Sequence, residues 1–388
     1  MAEPTFPRGL PPLSLYVHFP WCLRKCPYCD FNSHTLRDPL PERQYLDALL
    51  ADLDNQRPAV QGRALQTVFI GGGTPSLISA AGIERLLGGI RARLATDPDW
   101  EVTLEANPGA AERQRFADYR SAGVTRLSLG IQSFADDALR ALGRIHDAAQ
   151  AHSAIHAAKA AGFERLNLDL MFGLPHQTPE QADADLITAL NHDPGHLSRY
   201  ELTLEPNTVF ARYPPPRPAD DAITTMYEAG RERLAAAGYA HYELSSYAQP
   251  GHRCRHNLNY WRFGDYLAIG AGAHGKLSFT DPPRIERYWN EKHPKHYLAQ
   301  SAHGPPRRHS SRIAAADLPL EFMMNALRLP QGATRDQFQA RTGLPIADIA
   351  PILRDLRAQG LMDADPATLK TTPRGLLLLN DILQRFVV

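Results

Sequence analysis

Three of the four cysteines of this 388-residue chain lie within eight positions, at Cys22, Cys26 and Cys29. Iron–sulfur clusters are held by thiolates at comparably short spacings, so this C-x3-C-x2-C segment can converge on one inorganic cluster. A cubane held by three cysteines has one iron without a protein ligand. The segment therefore predicts an iron–sulfur site with one open coordination position.

Two other uses of these thiols have to be weighed. A disulfide is disfavoured, because the N-terminus does not resemble a secretory signal and disulfides are rare in reducing compartments. A structural zinc site needs a fourth ligand, which Cys254, His18 or His34 could supply. The cysteines alone leave the zinc alternative open.

Strand and helix patterns alternate along the first half of the chain. Six apolar runs are typical of strands, and helical periodicity follows each of them; the runs are 13–19, 65–70, 101–105, 125–129, 165–170 and 197–204. Such alternation predicts a parallel sheet with helices outside it. We expect an α/β fold, a partial (β/α)6 barrel.

Polar residues follow the ends of these predicted strands. The cysteine segment follows the first strand, a triple glycine ending at Gly73 the second, Glu105 ends the third, Gln132 follows the fourth, and Asp169 is near the end of the fifth. Singly, each could be a turn or a solvated strand end. Because active sites of β/α barrels are built on this rim, their shared position favours one site.

The motifs resemble a known family. The segment from Tyr16 to Asp30 resembles the cluster loop of radical S-adenosylmethionine (SAM) enzymes, in which SAM chelates the open iron. Further segments are similar to the oxygen-independent coproporphyrinogen III oxidase-like branch; they are Gly71–Pro75, Glu105–Pro108, Ser128–Ser133, Leu142–His146 and Asn167–Pro175. The resemblance implies a radical SAM barrel with a 4Fe-4S cluster held by Cys22, Cys26 and Cys29.

The same resemblance implies a set of SAM-binding residues, with Thr203 as a further candidate. They are Tyr16, Tyr28, Gly72, Gly73, Thr74, Glu105, Gln132, Arg144 and Asp169. The residue types suit the ligand. Glycine backbone lets a ligand approach closely, and a guanidinium matches a carboxylate in bidentate fashion.

Position 31 distinguishes two kinds of protein within this branch. The oxidases have a fourth cysteine two places after the third, whereas this chain has Phe31. The sequence Cys29-Asp30-Phe31-Asn32 is similar to the HemW-type haem chaperones, which are thought to bind haem and pass it to acceptor proteins. The resemblance implies a haem chaperone. The alternative is an oxygen-independent coproporphyrinogen III oxidase that forms protoporphyrinogen IX, so enzymatic activity stays open.

A second motif, H-N-x-x-Y-W, supports the chaperone interpretation. By resemblance, its haem-binding residues are His256, Asn257, Tyr260 and Trp261, with Cys254 beside them. An imidazole can ligate haem iron, and aromatic rings can line the macrocycle. The alternative is a loop whose His and Trp simply pack. Cys254 could be a second thiolate contact or an inert thiol.

The chain is expected to divide into three parts. The barrel, with both motifs, occupies 1–280; a segment rich in Pro, His and Arg, expected to be an exposed connector, occupies 281–312; and a small, mostly helical domain occupies 313–388. The family's C-terminal domain is similar to a winged helix. Its basic residues are too sparse here for a DNA-binding face.

Charge and hydropathy exclude several partners. The chain has 42 Lys+Arg and 42 Asp+Glu, so its net charge gives no electrostatic basis for binding nucleic acid. No apolar run is long enough to span a bilayer, and we expect a cytoplasmic protein. The resemblance implies haem and haem-accepting proteins, such as respiratory haem enzymes, as partners, and an electron donor if SAM is cleaved.

Overall fold

The computed structural model describes residues 9–109, 115–303 and 308–387. Its main element is a twelve-stranded mixed sheet in the order β14-β13-β12-β11-β1-β4-β5-β6-β7-β8-β10-β9. Short strands form two further pairs, β2 with β3 and β15 with β16. The strands are β1 (Leu13–Phe19), β2 (Trp21–Cys22), β3 (His34–Thr35), β4 (Leu65–Gly72), β5 (Thr96–Ala106), β6 (Arg126–Gln132), β7 (Arg165–Phe172), β8 (Gly195–Glu201), β9 (Ala240–Glu243), β10 (Ser246–Ala248), β11 (Asp265–Ile269), β12 (His274–Thr280), β13 (Pro283–Asn290), β14 (Arg308–Arg312), β15 (Ala333–Thr334) and β16 (Thr368–Leu369).

Helices separate most of these strands. Within the described residues they are α1 (Glu42–Gln56), α2 (Ala80–Arg91), α3 (Phe116–Ser121), α4 (Asp136–Ala141), α5 (Ala148–Ala160), α6 (Pro179–Asn191), α7 (Val209–Arg212), α8 (Asp220–Ala236), α9 (Arg255–Trp261), α10 (Pro294–Ser301), α11 (Leu318–Ala326), α12 (Arg335–Thr342), α13 (Ala350–Ala358), α14 (Pro373–Leu377) and α15 (Leu379–Gln384). None of the described helices is both long and apolar enough to cross a membrane.

The six predicted parallel strands are confirmed. β1, β4, β5, β6, β7 and β8 pair in parallel, in chain order. Apolar side chains of these strands, such as Leu15, Val68 and Leu104, have no exposed surface. Burying one such side chain contributes about 1.5–3 kcal/mol, so these apolar runs largely determine the fold. The architecture is the expected α/β partial barrel.

A seventh parallel strand was not predicted. β11 pairs with β1 in parallel and with β12 in antiparallel register. Buried Asp265 stabilises this edge by forming ion pairs with Lys276 (3.0 Å) and Arg63 (2.9 Å). A paired and hydrogen-bonded buried carboxylate can be retained where a lone one could not.

Within 281–312, the expected exposed connector, the described residues 283–290 and 308–312 are instead strands of the sheet. β13 pairs with β12, and β14 pairs with β13, both in antiparallel register. The reason lies in a buried polar network. Asp52 of α1 accepts hydrogen bonds from Asn290 Nδ2 (2.7 Å) and from the Tyr297 hydroxyl (3.0 Å), which ties this segment to the barrel.

A second hydrophobic core lies in the C-terminal part. It includes Phe322, Phe338, Leu353 and Ile382, which come from four different helices. Helices around a two-stranded β15–β16 pair agree with the expected winged-helix-like domain. The Arg328 guanidinium bonds the Glu243 carboxylate at 2.6 Å, which joins this domain to the sheet edge.

Candidate functional site

The three cysteines lie on the loop that leaves β1. Cys22 is buried on β2, and Cys26 and Cys29 are partly exposed on the turn that follows. The backbone N–H of Cys29 donates to the Cys26 carbonyl at 3.2 Å, and the Lys25 ammonium donates to the Phe31 carbonyl at 3.0 Å. All three are free thiols, so the disulfide alternative does not apply.

The triple glycine after β4 packs directly on this loop. The N–H of Gly73 donates to Phe19 O (2.6 Å), and the N–H of Thr74 donates to Trp21 O (2.7 Å). A Cβ on Gly73 would lie 2.4 Å from Trp21 O, and Gly72 has a φ of 118°. Both positions therefore require glycine, because only it tolerates this φ and this close approach.

A cavity of about 440 Å³, here called the cysteine cavity, gathers most of the predicted site residues. It lies at the carboxyl ends of the parallel strands, as predicted. Eleven predicted residues line it: Cys22, Cys26, Cys29, Tyr28, Gly72, Gly73, Thr74, Glu105, Gln132, Arg144 and Asp169. Thr203 lines it too. Residues from the loops after five strands thus meet around one space.

Arg144 links the cysteine loop to the strand ends. Its Nη2 donates to Asn107 Oδ1 (2.7 Å) and to Gly130 O (2.8 Å), and its Nη1 lies 3.6 Å from Cys26 Sγ. Its Nε is buried and has no hydrogen-bond partner among the described residues. A fixed guanidinium beside a cluster thiolate is well placed to bind a carboxylate.

Two carboxyl groups lie deep in the cavity. Glu105 accepts a hydrogen bond from the Gly72 N–H (3.0 Å), and Asp169 accepts from Asn167 Nδ2 (2.8 Å). Burial, followed by the charge of Asp169, raises the pKa of Glu105 from 4.5 to about 8. Burial also raises the pKa of Asp169. A protonated Glu105 can donate a hydrogen bond as well as accept one.

This raised pKa predicts a pH-dependent effect of Glu105→Gln. As pH rises from 4.5 towards 8, the unfolded chain loses the Glu105 proton while the folded chain keeps it, so the wild type loses stability. The glutamine variant does not lose stability in this way, because its side chain does not ionise. We expect it to gain about 3 kcal/mol relative to wild type between pH 5 and pH 8, measured by denaturant unfolding of the apoprotein.

The control is Glu84→Gln, which changes an exposed carboxylate on α2. Its difference from wild type should be the same at both pH values. A constant difference for Glu105→Gln would contradict the raised pKa.

Sequence reasoning missed several residues of the cavity wall, among them Asn107, Ser128 and Tyr200. Asn107 and Ser128 fall inside the recognised motifs, and that signal could have found them. Tyr200 on β8 donates its hydroxyl proton to Gln132 Oε1 (2.7 Å), which fixes the Gln132 amide. Only the strand register places Tyr200 there.

Tyr16 is the one predicted SAM residue that does not line the cysteine cavity. Its hydroxyl bonds His18 Nδ1 (2.9 Å) and faces a second space of about 720 Å³, here called the wide cavity. Residues that line only the wide cavity include Tyr16, His18, His34, Tyr260, Tyr266 and His274. Both cavities share Cys29, Asp30, Phe31, Ser33, Gly72 and Glu105, so they adjoin.

The residues of the H-N-x-x-Y-W motif are divided between the interior and the wide cavity. His256 has no exposed surface, and Cys254 has none either. His256 Nδ1 bonds the Thr67 hydroxyl (2.7 Å), and His256 Nε2 bonds the Tyr260 hydroxyl (2.8 Å). Since Thr67 donates its proton to Ser14, His256 Nδ1 must be the donor and Nε2 the acceptor. Tyr260 therefore occupies the lone pair that a metal would need.

The other motif residues pack elsewhere. Arg328 lies over the Trp261 ring, 4.3 Å from its centroid, and Asn257 is partly buried on α9. The Cys254 thiol contacts the Glu101 carboxylate at 3.7 Å. Of the five predicted haem residues, only Tyr260 lines the wide cavity. Haem binding by this motif, including ligation by His256, stays a prediction.

The zinc alternative finds no fourth ligand close to the loop in the described residues. His18 uses both ring nitrogens, for Tyr16 and for the Asn32 carbonyl (2.9 Å), and His34 bonds the Asn32 side chain (3.3 Å). Cys254 does not line the cysteine cavity. No described group of three or more His, Cys, Asp or Glu is arranged to hold one metal ion.

The cavity does fit a cluster with one open iron. Three free thiols line it, the fourth-cysteine position is taken by Phe31 with 57% of its surface exposed, and a guanidinium stands beside Cys26. Thiolate ligands and carboxylate-binding donors are the two groups that such a cluster and an amino-acid ligand require.

Comparisons with protein families agree with this geometry. The family described as the Radical SAM superfamily matches residues 16–187, and the HemN C-terminal domain matches residues 313–378. The second match begins at the residue where the helical domain was predicted to begin.

Curated relatives are similar over nearly the whole chain. "Heme chaperone HemW" of Escherichia coli (strain K12) is 49% identical, over 97% of this chain and 99% of its own length. The protein of the same name from Bacillus subtilis (strain 168) is 34% identical, over 96% of this chain and 99% of its own length.

One solved structure shares the fold and both domains. Coproporphyrinogen III oxidase (HemN) from Escherichia coli, described as a radical SAM enzyme, superposes with a TM-score of 0.81 at 25% identity. The match covers 97% of this chain and 90% of that one.

Proposed function

This chain belongs to the HemW family of radical SAM proteins, and we propose from that membership that it is a haem chaperone, which binds haem and transfers it to acceptor proteins. The observation that carries the proposal is the full-length similarity to proteins named heme chaperone HemW, at up to 49% identity. Phe31, at the position where oxidases have a fourth cysteine, supports the same function.

We propose that Cys22, Cys26 and Cys29 hold a 4Fe-4S cluster, with SAM on its open iron. When bound, the cluster supplies single electrons, and SAM is the group they can cleave. The chain's own residues bind and orient the cluster and SAM. The cysteine thiolates fix the cluster, and the Arg144 guanidinium binds the SAM carboxylate.

The remaining SAM contacts follow from the cavity wall. The glycine backbone at Gly72 and Gly73 admits the ligand closely, while Glu105 and Gln132 bind its ribose hydroxyls. Tyr28, Thr74 and Asp169 complete the wall, and Tyr16 acts from the adjoining cavity. Their common cavity supports this assignment.

We propose that haem occupies the wide cavity, next to the cluster site. The H-N-x-x-Y-W motif contributes Tyr260 directly, and His256 holds the Tyr260 hydroxyl from behind. Asn257, Trp261 and Cys254 support this helix from within the fold. Direct ligation of haem iron by His256 requires the Tyr260 hydroxyl to break its hydrogen bond to His256 Nε2.

The partners proposed for this function are haem-accepting proteins such as respiratory haem enzymes, and an electron donor if SAM is cleaved. A cytoplasmic location suits them, because a reducing compartment keeps the cluster thiols available.

The alternative is an oxygen-independent coproporphyrinogen III oxidase. The observation in its favour is the superposition on the Escherichia coli oxidase with a TM-score of 0.81. The two functions differ in what they do with a tetrapyrrole. A chaperone holds haem unchanged, whereas the oxidase decarboxylates a porphyrinogen.

An anaerobic haem titration, followed by absorbance on the cluster-reconstituted protein, tests the proposal. Coproporphyrinogen III turnover is assayed in the same preparation. We expect saturable haem binding near one equivalent and no protoporphyrinogen. Turnover without haem binding would establish the oxidase instead. If neither haem binding nor turnover were observed, both functions would be excluded.

A further inference from the structure

Three histidines line the wide cavity, and they differ in how their ring nitrogens are used. His18 has both nitrogens hydrogen-bonded, and His34 Nε2 bonds the Asn32 side chain. For His274, the first residue of β12, no hydrogen bond is found within the described residues. His274 is also exposed. Its imidazole is thus the one that can reach a ligand without breaking an existing bond.

Aromatic stacking fixes the orientation of this imidazole. The His274 ring lies nearly parallel to Trp289, with centroids 6.2 Å apart and planes at 20°. Trp289 stacks in turn on His309, at 5.7 Å and 17°. A ring that stacks through one face keeps its edge nitrogens free. Burial and the nearby Lys292 lower the pKa of His274, which favours the neutral, ligating form.

The wide cavity has the size and wall of a site for a flat aromatic ligand. At about 720 Å³ it lies within the range of small-molecule sites. Tyr260 and Tyr266 form an edge-to-face pair 4.5 Å apart on its wall, and Phe31 is exposed at its border with the cysteine cavity. These rings offer both face and edge contacts to a macrocycle.

Charged side chains are also placed on the wall. Lys25 and Lys292 both line the cavity. The Lys25 ammonium donates to Phe31 O and Ser33 O and keeps one proton for a ligand carboxylate, and the Lys292 ammonium can pair with a second carboxylate. Asp30 and Glu105 line the side shared with the cysteine cavity, where Glu105 is held by Gly72. Acidic groups therefore face the cluster side, and cations are available to the ligand's carboxylates.

We propose that His274 supplies the axial ligand to haem iron in the wide cavity, with Tyr260 packed against the macrocycle and with Lys25 and Lys292 paired with the propionates. The proposal rests on the proposed haem function and adds to it. It assigns the iron to a strand distant from the H-N-x-x-Y-W motif and makes His256 a positioning residue for Tyr260.

Haem titrations of the wild type, His274→Ala, His256→Ala and His309→Ala test this assignment. We expect His274→Ala to raise the haem dissociation constant at least tenfold. The variant should also lose the imidazole-ligated absorption spectrum, and added imidazole should restore that spectrum. His309→Ala is the matched control, because it stacks on the same Trp289 but does not line the cavity. It should behave as wild type.

His274→Cys gives a second readout that does not depend on loss of haem binding. A thiolate in place of the imidazole should keep haem bound and shift its main absorption band. His256→Ala should retain the imidazole-ligated spectrum, even if its affinity falls. Iron content and circular dichroism at wild-type levels establish that each variant is folded.

The outcomes separate the two proposals. If the wild type binds no haem, both the proposed function and this assignment fail. If the wild type binds haem and His274→Ala keeps the wild-type spectrum and affinity, only the assignment to His274 fails. Loss of the imidazole spectrum in His256→Ala alone would place the iron at the motif.

Discussion

Replacing Cys26 with Ala is expected to abolish the iron–sulfur cluster. Cys26 lies on the wall of the cysteine cavity beside Arg144, and two remaining thiolates cannot hold a cubane with one open iron. We expect anaerobically reconstituted Cys26→Ala to be colourless, with iron and sulfide near zero per chain. The measurement is iron content together with broad absorbance near about 400 nm, where iron–sulfur clusters absorb.

Cys254→Ala is the matched control for this prediction. Cys254 is the only other cysteine of the chain, and it lies buried against Glu101, away from the cysteine cavity. That variant should keep its full iron content. Haem binding should survive in Cys26→Ala, because Cys26 does not line the wide cavity. A full cluster in Cys26→Ala would contradict the ligand assignment.

Replacing Arg144 with Lys is expected to weaken SAM binding by roughly tenfold to a hundredfold. The guanidinium donates to Asn107 and Gly130 while it stands beside Cys26. An ammonium cannot reproduce this fork, and a charge-assisted hydrogen bond contributes about 1.5–3 kcal/mol. Equilibrium binding of SAM to the cluster-reconstituted protein measures the effect.

Arg140→Lys is the control, because Arg140 is exposed on α4 and pairs with Asp137 rather than with the cavity. Its SAM affinity should equal that of the wild type. Equal affinity for Arg144→Lys, at full cluster occupancy, would remove Arg144 from the SAM site.

The parallel strands could be predicted because they carry short apolar runs, clearest in Leu13–Phe19 and Leu65–Gly72. Both faces of such a strand are covered, so its residues are selected for burial along its whole length. The rim position of the cysteines, Glu105, Gln132 and Asp169 followed from strand order alone. The motif resemblance then added Arg144, which no periodicity indicates.

The antiparallel edge of the sheet could not be predicted in the same way. β11 has only five residues and is followed by Gly270 and Gly272, which are typical of turns. β13 and β14 lie in the segment 281–312, which is rich in Pro, His and Arg, as an exposed segment would be. Their place in the sheet depends on contacts distant in sequence, above all Asn290 with Asp52.

The environment of the H-N-x-x-Y-W motif depends on distant contacts as well. The motif spacing puts His256 and Tyr260 on one face of α9, which is compatible either with a ligand or with an internal pair. In the structure the Thr67 hydroxyl of β4 bonds His256 Nδ1 and the Tyr260 hydroxyl bonds His256 Nε2, and only the fold brings Thr67 to this position. His274 carries no motif, and only the pairing of β11 with β12 brings it to the same cavity as Tyr260.

Transfer of haem from the loaded protein to an apo-acceptor tests the haem-chaperone function most directly. The haem-loaded chain is mixed with increasing amounts of an apo respiratory haem enzyme, and absorbance follows the movement of haem; an unrelated apo-globin measures spontaneous release. The chaperone function predicts a rate that rises with acceptor concentration and exceeds spontaneous release. A rate equal to spontaneous release at every acceptor concentration would contradict it.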